Sequence, residues 1–105
     1  MSLYYNFVIV FNPAIVTYSV SLQLVDNLVK TIGAKYCLRT DYLGYRSLAY
    51  KIKGQITAYY FSLWFYRSSW VLQQYFLFVN RNTVRILRHL LLKSNNLQLI
   101  HINDY

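Results

Sequence analysis

Residues that could carry acid–base or metal chemistry are few and scattered along this 105-residue chain. Glutamate is absent, and the carboxylates are Asp26, Asp41 and Asp104. Cys37 is the single cysteine, and no His stands at a metal-ligand spacing from it. His89 and His101 have no nucleophile near them in the sequence that they could activate. We therefore expect no catalytic, cofactor or metal site, no enzyme activity, and a packing role for Cys37.

The charge is the more informative property. Eleven Lys and Arg against three acids give a net charge of +8, which favours a polyanionic partner, above all nucleic acid. Solubility alone is the plain alternative. A basic membrane-surface protein would need its cations on one face of an amphipathic helix, and neither predicted helix has such a face. No uninterrupted apolar run is long enough to cross a bilayer, so we expect no membrane span.

Residue patterns predict the elements that would position these cations. The predicted strands cover residues 3–12, 34–52, 57–66 and 84–93, and the predicted helices cover 17–32 and 70–79. Gly44 is the expected bulge within the long second strand, and Lys53-Gly54-Gln55 is the turn that follows it. Gly33 is the expected end of the first helix, and Ser68-Ser69 the expected cap of the second.

Apolar spacing predicts which side chains face the core. In the first helix the expected stripe is Leu22, Val25, Val29 and Ile32, widened by Val20, Leu24 and Leu28. In the second helix, Val71, Tyr75 and Phe78 should face the sheet, while Trp70 and Leu77 should be exposed. In the last strand, one face should carry Val84, Ile86, Leu90 and Leu92.

The order β-α-β-β-α-β predicts a ferredoxin-like α+β fold, a four-stranded antiparallel sheet with two helices on one face. Its two crossovers place the first and third strands in the centre. Those two strands carry no charge, whereas the second and fourth are rich in Lys and Arg. Charged edge strands also discourage aggregation, which is the alternative role for these side chains. We expect this domain to cover residues 1–93, with a C-terminal tail, 94–105, that becomes ordered only with a partner.

The segment LGYRSLAYKI, residues 43–52, resembles the LGxRxLAYPI signature of the bacterial-type small-subunit ribosomal protein S6 family. The resemblance extends over residues 3–93. It includes the following matches: Tyr5, Asn12-Pro13, Gly33-Ala34-Lys35, Lys53, Tyr59-Tyr60 and Leu87-Arg88-His89-Leu90. The chain departs from the family pattern where Lys51 replaces proline and Asn6 replaces an acid. The second helix also lacks the family's usual charges.

This resemblance implies a structural role in the platform of the small ribosomal subunit, with small-subunit rRNA and ribosomal protein S18 as partners. Arg46, Tyr50 and Arg88 fall on the family's recurring Arg, Tyr and Arg. The expected RNA-binding residues are Arg46, Lys51, Lys53, Arg81, Arg85, Arg88 and Lys93. The expected protein-contact residues are Tyr50, Trp70, Leu77, Leu97 and Leu99, and further ribosomal proteins are expected near the second helix and the tail.

Three other classes share the topology or the charge. An RNA-recognition motif needs an aromatic octamer on its third strand, which Gln55-Ile56-Thr57 does not continue. An acylphosphatase-like enzyme needs a phosphate cradle with an arginine after the first strand, and Asn12-Pro13-Ala14-Ile15 offers neither. A protein-interaction subunit of another organellar complex, without RNA contact, stays open because the second helix is so apolar.

The expected location follows from residue usage. Tyr, Phe and Ile are abundant and Gly and Pro are scarce, as in the products of an AT-rich genome. No targeting segment is recognisable at the N-terminus. With a bacterial-type family, this predicts an organelle-encoded mitochondrial protein, and a plastid protein is the alternative.

Overall fold

The computed structural model describes residues 3–94, which form a four-stranded antiparallel sheet with two helices on one face. The elements are β1 (Tyr4–Phe11), α1 (Tyr18–Ile32), a 3₁₀ turn (Ala34–Tyr36), β2 (Cys37–Ile52), β3 (Gln55–Tyr66), α2 (Ser69–Arg81) and β4 (Ile86–Ser94). The strand order is β2-β3-β1-β4, so the two charge-free strands are central, which confirms the predicted ferredoxin-like fold. β4 ends one residue past the expected domain boundary, and residues 95–105 of the expected tail lie outside the described residues.

The main core lies between the sheet and the helices. Alternate residues of β1 and β3 point into it and meet the buried faces of α1 and α2. At its centre the ring of Tyr75 stacks on that of Phe7, with centroids 3.8 Å apart and planes 6° apart. This nearly parallel stacking contact joins helix and sheet, so it fixes how α2 is seated on β1.

A second, smaller core lies on the face that carries no helix. Val8, Val10, Ala58, Tyr60 and Leu87 are buried there. Partly buried side chains of the edge strands pack against them, namely Leu43, Leu48, Ile52 and Leu90. The twisted sheet therefore buries apolar side chains on both faces, which explains why β1 is apolar on both parities.

The helix ends agree with the capping signals. The Thr17 hydroxyl accepts a hydrogen bond from the amide of Val20, and the Ser68 hydroxyl accepts one from the amide of Trp70, each at 3.2 Å. Gly33 follows α1 with φ of +113°, a conformation that side-chain-bearing residues rarely adopt. Each signal thus marks its helix end to within a residue or two.

The predicted stripe of α1 was wrong in part. The buried residues are Ser21, Val25, Leu28 and Ile32, whereas Leu22 is 44% exposed. The predicted stripe has residue spacings of 3-4-3, and the observed stripe has spacings of 4-3-4. Both spacings place the residues on one side of a helix, so periodicity alone did not decide between the two stripes. Ser21 tolerates burial because its hydroxyl donates to the carbonyl of Tyr18 at 2.7 Å.

The face prediction for α2 was nearly correct. Val71 and Tyr75 are fully buried, as predicted, but the third buried position is Val79, and Phe78 packs only at the margin of the core. Trp70 and Leu77 are each 43% exposed, as predicted.

The long edge strand β2 begins later than predicted and is irregular. Ala34–Tyr36 forms a 3₁₀ turn, and Cys37 packs against the main core. Burial raises the pKa of the Cys37 thiol, which keeps it protonated and agrees with a packing role. The register shifts at the predicted bulge, Gly44, whose φ is +113°. A larger register shift lies between Ser47, which pairs with Thr57, and Ile52, which pairs with Gln55. Four residues of β2, 48–51, therefore stand opposite the single residue Ile56 of β3.

The predicted faces of β4 were wrong. Ile86 packs in the main core, whereas Leu87 and Leu90 pack in the core on the other face. The cause is a register shift between Val10 and Phe11 of β1, which puts one extra residue in β4 between Ile86 and Arg88. A single extra residue exchanges the faces of all residues beyond it.

Candidate nucleic-acid interface

Six of the seven predicted RNA-binding residues collect at one end of the sheet. Phe11, the last residue of β1, pairs with Tyr59 near the start of β3 and with Ile86 at the start of β4. The β2–β3 turn, which precedes β3, and the end of α2, which precedes β4, therefore lie at this same end. Arg46 is half-buried and lies near this end too, because its partner Ala58 is closer to the hairpin turn than Tyr60 is. We call this region the basic end, and the five cations that define it are Lys51, Lys53, Arg81, Arg85 and Arg88. All five are exposed, so the fold turns a set of residues spread over 38 positions into one cationic surface.

Lys53 is also a structural residue. It sits at the hairpin turn with φ of +50°, followed by Gly54 at +80°, so the turn has two residues rather than the predicted three. Its Nζ donates to the carbonyl of Thr83 at 3.1 Å and lies 3.5 Å from that of Ile86. The hairpin tip is thereby tied to the loop between α2 and β4, at the opposite edge of the sheet.

That loop is held by a second set of hydrogen bonds. The amide of Asn12 donates to the carbonyl of Arg85 at 2.8 Å, which joins the end of β1 to the start of β4. The side chain of Asn82 donates to the carbonyl of Phe78 at 2.8 Å and accepts from the Arg85 guanidinium at 3.3 Å. Arg85 is therefore oriented by the end of α2, and its remaining donors face outward.

Arg46 and Arg88 lie on the helix-free face, at opposite edges. Gly44, Tyr60, Val10 and Arg88 form one row across the four strands. The guanidinium of Arg46, two residues along β2, lies 5.6 Å from the centre of the Tyr60 ring. Four strands at the usual spacing of about 4.8 Å separate the two edges by roughly 14 Å. The open face is thus framed by a cation on each side.

Lys93 is not part of the basic end. It pairs with Tyr5 near the start of β1, five residues along β4 from Arg88. At about 3.4 Å per residue this distance is roughly 17 Å. If Lys93 contacts RNA, it does so at a separate place.

The two carboxylates within residues 3–94 are engaged elsewhere. Asp26 lies 3.0 Å from Lys30, and Asp41 lies 2.7 Å from Arg39. Within the described part of the chain, the five cations of the basic end have no carboxylate partner. Their charge is therefore uncompensated, which favours an anionic ligand.

The predicted protein-contact residues are dispersed. Tyr50 is 64% exposed and stands in the irregular segment of β2, whereas Trp70 and Leu77 are on α2. The Trp70 indole also donates to the carbonyl of Ile32 at 2.8 Å, so this side chain joins the two helices as well. Leu97 and Leu99 lie outside the described residues.

His89 lies beside the basic end, although it was not among the predicted binding residues. It lines the same surface cavity as Lys53 and Arg88, and its ring makes an edge contact with Tyr75 at 5.8 Å. No sequence signal pointed to this placement, because a lone histidine in a strand carries no recognisable spacing. Over residues 3–94 no three His, Cys, Asp or Glu side chains come close enough to hold a metal ion. Neither helix of that region is long and apolar enough to cross a bilayer.

Comparison with known proteins places the fold. The sheet order and the helix positions define a ferredoxin-like α+β protein. Within that class, the chain is similar to the crystal structure of 30S ribosomal protein S6 from Thermotoga maritima. The TM-score is 0.75, the sequence identity is 22%, and the match covers 94% of each chain. The chain therefore has the S6 fold. No protein-family model matches it, and no curated protein sequence matches it.

Proposed function

We propose that this chain is a structural constituent of the small ribosomal subunit that binds small-subunit rRNA through the basic end. The observation that carries the proposal is the convergence of Lys51, Lys53, Arg81, Arg85 and Arg88 on one carboxylate-free end of an S6 fold. The fold similarity supports the assembly, since the neighbour of known structure is a 30S ribosomal protein. The net charge of +8 supports RNA, a polyanion, as the ligand.

The contacts at the basic end go to phosphates rather than to base edges. Lys and Arg side chains on strands and loops supply point charges and forks that suit phosphate oxygens. Contacts of this type fix the position of a protein on RNA and carry no sequence information. The chain accordingly acts as a positioned building block and not as a sequence reader.

Protein partners belong to the same proposal. Ribosomal protein S18 and a place in the platform of the subunit come from the resemblance of residues 43–52 to the S6 family signature. The half-exposed Trp70 and Leu77 suit additional protein neighbours on α2, because exposed aromatic surface of this kind is typical of protein contacts. A mitochondrial ribosome, with the gene in the organelle, is the proposed setting, and a plastid ribosome is the alternative.

Incorporation into the subunit tests the proposal. Arg46→Glu and Arg88→Glu should each lower co-sedimentation of the chain with small ribosomal subunits, because reversal replaces an attraction to phosphate with a repulsion. Lys30→Glu is the matched control, since Lys30 is equally a surface cation but lies on α1 beside Asp26. Normal incorporation of both arginine variants, or equal loss in the control, would refute the assignment.

An interaction subunit of another organellar complex is the second candidate. The observation in its favour is the set of exposed apolar side chains on α2, which are Trp70, Phe76 and Leu77. Salt separates the two functions. Binding to single-stranded RNA should weaken with a slope of about −0.7 in log K against log salt for each phosphate contacted. Apolar docking to a protein should not weaken as salt rises.

A further inference from the structure

A cavity of about 200 Å³ opens at the start of β4. The residues around it come from three elements: the hairpin tip, the end of α2 with its following loop, and the first residues of β4. They are Lys53, Val79, Thr83, Ile86, Leu87, Arg88 and His89. We call this cavity the notch.

The notch has an ammonium group that is already fixed in place. Lys53 Nζ is held by the carbonyls of Thr83 and Ile86, at 3.1 and 3.5 Å. An ammonium has three N–H donors, so two such bonds leave one for a ligand. A lysine that is already positioned loses little side-chain entropy when it binds, unlike a free surface lysine.

Two further residues with donor side chains line the same cavity, Arg88 on the helix-free face of β4 and His89 on the helix face. β4 is an edge strand, so a ligand that reaches both side chains lies at its open edge. Arg88 carries a planar guanidinium that matches a phosphate in a bidentate manner. His89 offers an imidazole N–H, and its ring is positioned by the edge contact with Tyr75. The residues between these donors are Val79, Ile86 and Leu87, which are buried and apolar and offer no competing hydrogen-bond acceptor on their side chains.

The charge of the notch determines its ligand. Of the four residues with a polar donor side chain, Lys53, Arg88 and His89 are basic and Thr83 is neutral. Asp26 and Asp41 are paired with cations elsewhere on the surface. Within the described part of the chain no carboxylate lines the notch. A small oxyanion with several acceptor oxygens satisfies such a set of donors, and a cation or a neutral apolar molecule does not.

We propose that the notch binds one phosphate group of the RNA backbone through Lys53, Arg88 and His89. This inference rests on the proposed function, and it adds a defined phosphate subsite and His89 to a surface that is otherwise a general cationic patch. The phosphate bound here would fix the RNA strand against the β4 edge, next to Arg85.

The test uses the full chain and two probes, inorganic phosphate and a short single-stranded RNA. Phosphate should cause saturable NMR shifts of the backbone amides from Thr83 to His89, and the RNA should displace it. Arg88→Gln should weaken phosphate binding about tenfold, because a charge-assisted hydrogen bond is lost. Lys53→Met should weaken it similarly, and urea unfolding of that variant checks that the fold is kept. Lys93→Gln is the control, since it removes the same charge from the same strand outside the notch.

The outcomes separate the notch from the proposed function. Equal weakening by Lys93→Gln would reduce the effect to net charge and overturn the notch. RNA that binds without displacing phosphate would also overturn it, while leaving rRNA binding in place. Phosphate that saturates the notch in a chain with no affinity for any RNA would support an oxyanion site but contradict the proposed function.

Discussion

The buried hydroxyl of Tyr75 gives the sharpest test of the packing described above. Tyr75 has no exposed surface, and within residues 3–94 its hydroxyl has no hydrogen-bond partner. The ring itself is well placed, since it stacks on Phe7 at 3.8 Å and contacts the edge of His89. Tyr75→Phe keeps both ring contacts and removes only the unsatisfied oxygen.

The expected effect is a gain in stability. An unsatisfied buried hydroxyl costs about 1–3 kcal/mol relative to its solvated state in the unfolded chain. Removing it forfeits a few dispersion contacts of about 0.1–0.2 kcal/mol each. The balance is a stabilisation of about 1 kcal/mol, which corresponds to a rise in Tm of roughly 4–8 °C for a domain of this size.

The same group predicts a dependence on pH. Burial raises the pKa of the Tyr75 hydroxyl above its ordinary value of about 10. Above pH ~10 the unfolded chain therefore releases this proton while the folded chain keeps it. The unfolded state then binds fewer protons, so the free energy of unfolding falls as pH rises, by up to about 1.4 kcal/mol per pH unit. Tyr75→Phe removes this contribution, and its advantage over the wild type should widen above pH ~10.

Urea unfolding at neutral pH and at two alkaline pH values measures both effects. Tyr50→Phe is the control, because Tyr50 is 64% exposed and its substitution should change stability by less than about 0.5 kcal/mol. A loss of about 1 kcal/mol or more in Tyr75→Phe would show that the hydroxyl has a partner, and the account of this core would then be wrong. An unchanged alkaline dependence would contradict the pKa argument alone.

Three further substitutions test the irregular parts of the fold. Gly44→Ala should destabilise the domain by about 1–3 kcal/mol in urea unfolding, because φ is +113° at this position. The nearest side-chain atom to an added Cβ is 3.7 Å away, so backbone strain and not a steric clash causes the loss. Trp70→Phe removes the bond to the Ile32 carbonyl and should lower stability by about 1 kcal/mol, seen as a lower Tm. Lys53→Met should speed hydrogen exchange in the loop around Thr83 and cost about 1 kcal/mol; unchanged exchange would mean that the tie between hairpin and loop contributes nothing.

The sequence predicted the order of the elements because each carries a local signal. Asn12-Pro13 ends β1, Thr17 and Gly33 bound α1, and Ser68 caps α2. Details that depend on which of two equivalent faces is buried were harder to predict. The predictions of the α1 stripe and of the β4 faces were wrong for this reason. No local sequence pattern distinguishes the two helical spacings, and none marks the bulge beside Val10.

The candidate site divides in the same way. Residue types identified the cations, and strand order placed Arg46 and Arg88 at opposite edges. The sequence did not reveal that Lys53 reaches across to the loop before β4, or that His89 joins it in one cavity. Both facts depend on the hairpin tip, the loop after α2 and the start of β4 meeting in space, which no local sequence pattern encodes.

The sequence by itself therefore determined which strands are central in the sheet and which are at its edges. Charge-free segments had to be central, because a central strand of this sheet lies between two others and packs on both faces. It also determined the sign of the protein's own charge, which is a net +8. The tertiary structure alone decided where that charge is concentrated. The strand order, the register shifts and the contact of the hairpin tip with the loop before β4 are long-range outcomes of packing, and they bring the cations together at one end. Both described acids pair with Lys30 and Arg39 away from that end.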